Sequence, residues 1–234
     1  MKILVYIICY NDHTEAEAKR RFRGQSWGRI LRIDSTPYLE SEVYNSHLLS
    51  LQREWLDADY VGTLAWRAHD KTEINMEKIK GVLQDAQPDV FAFLLGTMQM
   101  LSQATTFHPN FGHNWLQLLS RMCYDERDCM HPDIPFFACN YWLARPRWMR
   151  AYISFFQNAK MIIDNPRLPL HLEMWKDAKY STSLMSPSRC LEVFGVPYFP
   201  FHPFVCERLP CFFFWFYRAK VLTPNKVLPS RLLS

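Results

Sequence analysis

The chain has 234 residues, 49% of them apolar and 15% aromatic, a composition that excludes an intrinsically disordered protein and indicates a packed globule. Its 27 basic and 23 acidic residues leave a net charge of +4, and no basic stripe marks a nucleic-acid surface. The seven cysteines are scattered and form no Cys-x-x-Cys pair, which disfavours zinc ribbons and thioredoxin chemistry and indicates the reduced thiols of an intracellular protein.

The first half of the chain alternates predicted strands with predicted helices. Apolar and β-branched runs predict four strands, at residues 2–10, 29–34, 60–66 and 89–95. Capping residues and the helical spacing of apolar side chains predict three helices between them, from Thr14 to Gly24, from Thr36 to Trp55 and from Met76 to Leu83. This order predicts an α/β fold with a mainly parallel sheet and helices on both of its faces.

The second half of the chain is less regular. Residues 125–135 form a polar loop closed by prolines, and residues 136–144 are typical of a strand with a polar residue, Asn140, in its middle. The spacing of apolar residues predicts helices at 114–121, 146–156 and 170–180. We find neither a linker nor an internal repeat, so the sequence predicts one domain over residues 1–234.

Two apolar runs are too short or too abruptly ended to be membrane or export signals. Asn11 and Asp12 end the first run, and no small-residue cleavage site follows it, so it is not a signal peptide. The run CFFFWFY at residues 211–217 is too short to span a bilayer and predicts a buried segment. We therefore expect a cytoplasmic protein without a transmembrane segment.

The stretch DYVGTLAWRAHDK, residues 59–71, is the first candidate site. Its predicted strand ends in four charged or titratable side chains, which are Arg67, His69, Asp70 and Lys71. In an open α/β sheet, ligands bind outside the carboxyl ends of the strands, which favours a site here. The alternative is a solvated turn that leads into the next helix. The chain contains neither a Gly-x-Gly-x-x-Gly motif nor a P-loop, so a nucleotide would be held in another way.

Several stretches together resemble a known enzyme family. They are VYIICYND, PYLESEVYNSHL, DYVGTLAWRAHDK, IPFFACNYWLARPRWM and HPFVCERLP, and they extend over residues 4 to 210. In their order and spacing they resemble the small GT-A glycosyltransferase domains encoded by large DNA viruses of algae, and related bacterial glycosyltransferase-like proteins. The resemblance implies a single GT-A-like domain with a Rossmann-like nucleotide half at residues 1–100, and an acceptor half and C-terminal tail at residues 101–234.

The resemblance also implies substrates and a metal. The donor would be a nucleotide sugar, usually a uridine diphosphate (UDP) sugar, and the acceptor a glycan or glycoprotein, for a viral enzyme a capsid glycan modified in the host cytoplasm. In that fold Mn²⁺ or Mg²⁺ sits on an Asp-x-Asp motif, where this chain has Ala68-His69-Asp70. One carboxylate can still hold a hard cation if diphosphate and water oxygens complete the shell, so Asp70 and His69 are the predicted metal ligands.

Glycosyl transfer requires a cation for the leaving diphosphate and, in an inverting enzyme, a base for the acceptor hydroxyl. The predicted bases are Asp128, Asp133 and Glu207. Predicted donor contacts are Tyr10, Arg67, Lys71, Asn140, His202 and Arg208. Structural alternatives remain open for five of these residues: an ion pair of Glu207 with Arg208, an aromatic pocket around His202, a buried hydrogen bond at Asn140 and a core position for Tyr10.

Two other classes of function remain open at this stage. The incomplete Asp-x-Asp motif also fits a non-catalytic sugar-binding, nucleotide-binding or capsid-associated module on the same fold. Basic residues at 20, 21 and 23 with Trp27 nearby fit a nucleic-acid-binding protein, although a helix of solvated basic residues explains them as well. We expect no nucleic-acid partner.

Overall fold

The computed structural model describes residues 1–96, 98–180 and 185–224, which form a sheet covered by helices. The strands are β1 (Ile3–Cys9), β2 (Gly28–Arg32), β3 (Tyr60–Ala65), β4 (Val90–Ala92), β5 (Trp142–Ala144) and β6 (Val221–Leu222). They form one six-stranded sheet in the order β2-β1-β3-β5-β4-β6. The predicted α/β class is confirmed.

The sheet is mostly parallel with one reversed strand. β1 pairs in parallel with β2 and β3, and β6 pairs in parallel with β4. β5 lies between β3 and β4 and is antiparallel to both of them. β3 approaches β5 closely at Gly62, where an added Cβ would lie 2.1 Å from the Trp142 carbonyl oxygen. Only a residue without a side chain fits this contact.

Two predicted strands are shorter in the structure. The predicted strand 89–95 forms its ladder only over β4, and the predicted strand 136–144 only over β5. The cause lies before β5, where Cys139 and Asn140 adopt φ angles of +68° and +54°. An extended strand cannot pass through two left-handed residues, so they divide the predicted strand into β5 and a single antiparallel bridge between Phe137 and Leu95.

The helices are α1 (Asp12–Arg21), α2 (His47–Ser50), α3 (Gln52–Trp55), α4 (Met76–Ala86), α5 (Met100–Phe107), α6 (Phe111–Arg121), α7 (Glu126–Cys129), α8 (Pro146–Ile163), α9 (Pro169–Met174), α10 (Pro187–Phe194), α11 (His202–Cys206) and α12 (Leu209–Phe216). Short 3-10 helices cover Leu39–Tyr44 and Ala68–Asp70. In the described part of the chain, no helix is both long and apolar enough to cross a membrane.

Three helix predictions are wrong in detail, and one of them, at 170–180, ends at Met174 as α9. The first helix begins earlier than predicted, because the Asn11 side chain caps it and accepts a hydrogen bond from the Thr14 amide. The helix predicted from Thr36 to Trp55 is divided into the 3-10 helix Leu39–Tyr44 and the short helices α2 and α3. Leu39 has a φ angle of +48°, which a continuous α-helix cannot contain.

Helices pack on both faces of the sheet because successive strand residues point to opposite sides. On one face, Leu4, Tyr6 and Ile8 of β1 join a large core that includes α8 and α12. On the other face, Ile3, Val5 and Ile7 join a smaller core with α1 and α4. The predicted buried segment 211–217 belongs largely to the larger core, where Phe212 and Phe214 of α12 are fully buried.

Candidate functional site

The candidate site lies where neighbouring strands lead in opposite directions. From β1 the chain proceeds to β2 on one side, and from β3 it proceeds to β4 on the other side. This arrangement leaves a crevice outside the carboxyl ends of β1 and β3, the position where open α/β sheets bind ligands. Tyr10 follows β1 directly, and the charged segment that ends at Lys71 follows β3.

A group of titratable side chains meets at this crevice, and we call it the switch-point cluster. Its members are Tyr10, Glu40, Lys71, Cys139, Tyr141 and Glu207. The Lys71 Nζ atom donates to Cys139 Sγ over 3.3 Å and lies 5.6 Å from the centre of the Tyr141 ring. Cys139 and Tyr141 stand at this edge because β5 runs in the reverse direction, so the residues before it face the carboxyl ends of its neighbours.

The charges in the switch-point cluster affect one another. Burial acts to lower the pKa of Lys71, but the neighbouring Cys139, Glu207 and Glu40 outweigh it and raise that pKa, which keeps the lysine cationic. Burial raises the pKa of Glu40, and the charge of Glu207 raises it further, while a hydrogen bond from its own backbone amide and the charge of Lys71 act in the opposite direction. Burial and Glu207 raise the pKa of Cys139 to about 12, so its thiol stays protonated at neutral pH.

Three buried polar atoms of residues in or beside the switch-point cluster have no hydrogen-bond partner among the residues that the structure describes. They are the Tyr10 hydroxyl, Oδ1 of Asn140 and Nε of Arg208. Burial and the charge of Glu40 raise the pKa of Tyr10 well above its usual value, but no hydrogen bond of ordinary geometry joins the two residues. Buried polar groups are almost always hydrogen-bonded, so these atoms are suited to a polar ligand.

Arg208 is buried behind the switch-point cluster, with 2% of its surface exposed. Its guanidinium donates to the Phe204 carbonyl over 2.7 Å and to Gln103 Oε1 over 2.5 Å, and it lies 3.6 Å from the Glu207 carboxylate. Burial lowers the pKa of Arg208, and Glu207 acts against this. These contacts match the structural ion pair that the sequence left open.

Asp70 points away from the switch-point cluster, toward α1. Its Oδ1 accepts from Arg21 Nη1 over 2.5 Å, and its Oδ2 accepts from Arg67 Nε over 3.0 Å. These two hydrogen bonds lower the pKa of Asp70, that from Arg21 more strongly. His69 lies on the same side, with its ring 4.8 Å from the ring of Phe22.

The surroundings of Asp70 do not fit a resident divalent cation. Mn²⁺ and Mg²⁺ take several oxygen ligands, whereas both Asp70 oxygens already accept hydrogen bonds from guanidinium groups. His69 packs on Phe22 instead of completing a set of ligands. Among the described residues, no group of three or more His, Cys, Asp and Glu side chains could hold a metal. The metal assignment of Asp70 and His69 remains a prediction without support from this geometry.

The predicted bases Asp128 and Asp133 belong to a different part of the molecule. Asp128 lies in α7, and Asp133 lies in the loop that follows, with Oδ2 4.0 Å from His131 Nδ1. The surroundings of this segment are aromatic, since Trp115 donates to the Cys129 carbonyl and the His131 ring packs 4.8 Å from Trp215. Neither aspartate belongs to the switch-point cluster.

His202 and Asn140 are the two remaining predicted donor contacts, and both side chains contact other residues of the protein. His202 is 1% exposed, lies 5.2 Å from the Tyr38 ring and 4.6 Å from the Trp175 ring, and burial lowers its pKa to about 3. A neutral histidine in an aromatic pocket matches this description. Asn140 Nδ2 donates to Ser41 Oγ over 2.9 Å, which leaves its carbonyl oxygen available beside the switch-point cluster.

Sequence reasoning missed Glu40, Cys139 and Tyr141. The spacing of apolar residues predicted a helix from Thr36 to Trp55 and placed Glu40 outside its apolar face, where a charged residue is common. The useful signal was that Glu40 lies within the stretch PYLESEVYNSHL that carries the resemblance. Cys139 and Tyr141 flank Asn140, the polar residue that interrupts an apolar run.

A second cleft, of about 390 Å³, opens between α4 and β4. Its wall includes Thr72, Lys78 and Phe93, and Thr72 Oγ1 donates to the Phe93 carbonyl over 3.4 Å. Because Thr72 directly follows Lys71, this cleft borders the segment that carries Lys71 of the switch-point cluster.

Comparison with protein-family models, with curated proteins and with solved structures found no match to this chain.

Proposed function

We propose that this protein is a glycosyltransferase of GT-A type. It would transfer a sugar from a UDP sugar to a hydroxyl of a glycan or glycoprotein. The observation that carries the proposal is the switch-point cluster, in which an aromatic residue, a cation and two carboxylates meet at the crevice between β1 and β3. A nucleotide sugar requires these groups: a ring surface for the base, a positive charge for the diphosphate and a carboxylate for the acceptor hydroxyl.

In this proposal Lys71 stabilises the leaving group. Breaking the bond between sugar and diphosphate places negative charge on the diphosphate oxygens, and a cation held nearby lowers the energy of that state. Lys71 is held beside Cys139 and Tyr141, and its pKa is raised, so its charge is present at neutral pH. Arg67 lies on the same loop, where its guanidinium packs 5.5 Å from the Trp66 ring centre.

The surroundings of Asp70 determine which groups can stabilise the leaving diphosphate. A divalent cation would supply further positive charge at the diphosphate, and Asp70 is the residue that the resemblance assigns to it. Because Arg21 and Arg67 occupy both Asp70 oxygens, we derive no step through a metal. The steps that we propose use the residues of the switch-point cluster alone.

The same observation on Asp70 favours a second candidate, a non-catalytic module that binds a sugar or nucleotide on this fold. Such a module would bind UDP through the switch-point cluster and release no UDP from a UDP sugar. The basic face of α1 gives little support to a nucleic-acid partner, because Lys19 pairs with Glu15 and Arg20 pairs with Glu17.

Thermal unfolding with UDP tests the proposed function. A ligand that binds the folded state raises the melting temperature, and at 100 times its dissociation constant it adds about 2.7 kcal/mol to the free energy of unfolding. We expect a rise with UDP, with UDP-glucose and with UDP-N-acetylglucosamine, and a smaller rise with uridine. No shift with any of these at millimolar concentration, with or without Mn²⁺, would contradict the proposal.

A further inference from the structure

Glu40 is carried on a rigid support at the crevice. It lies in the 3-10 helix Leu39–Tyr44, and two residues that follow it in this helix, Ser41 and Tyr44, anchor the helix to the centre of the molecule. Ser41 Oγ accepts from Asn140 Nδ2 over 2.9 Å, and the Tyr44 hydroxyl lies 2.7 Å from Thr63 Oγ1 of β3. A carboxylate on such a support keeps a fixed position relative to the carboxyl ends of β1 and β3.

Glu40 also differs from the other carboxylates near the crevice in its partners. Glu207 lies 3.6 Å from the Arg208 guanidinium, and Asp70 is held by two arginines. Within the described part of the chain, Glu40 is in no ion pair within 4 Å, although Lys71 is close enough to act on its pKa. A carboxylate that is not held by a cation can take up a proton at a low energetic cost.

The environment of Glu40 suits a proton acceptor. A general base is most effective when its pKa lies near the working pH, and enzymes raise the pKa of glutamate by burial and by neighbouring negative charge. Both causes operate on Glu40, through burial and through Glu207. The hydrogen bond from Glu40's own backbone amide and the charge of Lys71 oppose them, and the pKa of Glu40 remains raised.

We infer that Glu40 is the catalytic base of the switch-point cluster, an inference that rests on the proposed glycosyl transfer. The acceptor hydroxyl oxygen forms a bond to the anomeric carbon, and the hydroxyl proton passes to the Glu40 carboxylate. The bond from the anomeric carbon to the diphosphate oxygen breaks, and its electron pair leaves with the diphosphate beside Lys71. When water takes the place of the acceptor, the same step hydrolyses the nucleotide sugar.

The experiment compares Glu40→Gln with Glu77→Gln, a matched change at an exposed glutamate in the first turn of α4. Binding of UDP is measured by calorimetry, and release of UDP from UDP-glucose, UDP-galactose and UDP-N-acetylglucosamine is measured with water as acceptor. We expect Glu40→Gln to bind UDP within twofold of the parent and to release it at least 100-fold more slowly, the usual contribution of a general base. Glu77→Gln should match the parent in both measurements.

The pH profile of turnover gives a readout that a structural role would not change. The parent should lose turnover as acidification protonates Glu40, and this acidic limb should be absent from the residual turnover of Glu40→Gln. If Glu40→Gln unfolds, Glu40→Asp replaces it, and its turnover should fall at least tenfold because the shorter side chain moves the carboxylate away.

The outcomes separate this inference from the proposed function. A parent that binds UDP and turns over, with Glu40→Gln equally active, overturns the assignment of Glu40 and leaves glycosyl transfer standing. A parent that binds UDP without turnover on any donor supports the non-catalytic module and overturns the inference as well. A parent that binds no UDP overturns both.

Discussion

The segment after β3 has two sides that differ in their surroundings. Asp70 and His69 contact Arg21 of α1 and Phe22 directly after it, and Arg67 joins them by donating to Asp70. Lys71, the next residue, meets Cys139 and Tyr141 from the other half of the chain. The 3-10 helix Ala68–Asp70 turns the chain between the two sides. A run of charge that looks uniform in the sequence therefore has one structural side and one side that faces the crevice.

The largest effect should come from the crevice side. We expect Lys71→Met to lower the affinity for UDP at least tenfold, since a hydrogen bond to a charged group contributes about 1.5–3 kcal/mol. Calorimetry measures the affinity, and Lys80→Met on α4 is the matched control, because Lys80 pairs with Glu77 on the surface. Equal affinity in Lys71→Met and the parent would place Lys71 outside the donor site.

Asp70→Asn should have a smaller effect, and a different one. Because Asp70 joins α1 to the segment after β3, we expect a fall of about 1–2 °C in the melting temperature, the scale of exposed ion pairs. UDP affinity should stay within twofold of the parent, with and without EDTA. A tenfold loss that appears only when Mn²⁺ is present would instead restore Asp70 as a metal ligand.

The pH dependence of stability sharpens the same contrast. The pKa of Asp70 in the folded state is lowered from 3.8 by Arg21 and Arg67, so its stabilising contribution is complete above 3.8 and is lost as the pH falls through the lower folded value. We expect the difference in melting temperature between the parent and Asp70→Asn to be constant from pH 5 to 7, to decrease below pH 3.8 and to disappear once the pH is below the lowered folded pKa. A difference that persisted at lower pH would mean that the charge of Asp70 is not its source.

The smallest effect should come from His69→Ala. The variant loses the ring contact with Phe22, and because His69 is largely exposed we expect a fall in melting temperature of less than about 1 °C. Turnover of UDP sugars, with or without Mn²⁺, should not change. A loss of Mn²⁺-stimulated turnover would show that His69 contacts a metal in the donor complex.

The sequence predicts the central strands well because β1 and β3 are long apolar runs whose burial needs no distant information. It also predicts where the crevice lies, because the charged segment follows the carboxyl end of β3 and open α/β sheets bind ligands outside the carboxyl ends of their strands. The partner of Asp70 could not be predicted, because Arg21 lies 49 residues away and both residues look solvated in the sequence. Glu40 was hidden by a helical pattern that the left-handed Leu39 interrupts, a backbone conformation that leucine rarely adopts.

The reversed strand β5 has a consequence for synthesis of the chain. β3 and β4 do not pair with each other, because β5 stands between them and is made about 50 residues after β4. Until residue 144 has left the ribosome, the nascent sheet therefore has open edges at β3 and β4, which are sites for pairing with other chains. Residues 1–100, produced alone, should aggregate, and residues 101–234 supplied in trans should restore solubility by completing the sheet.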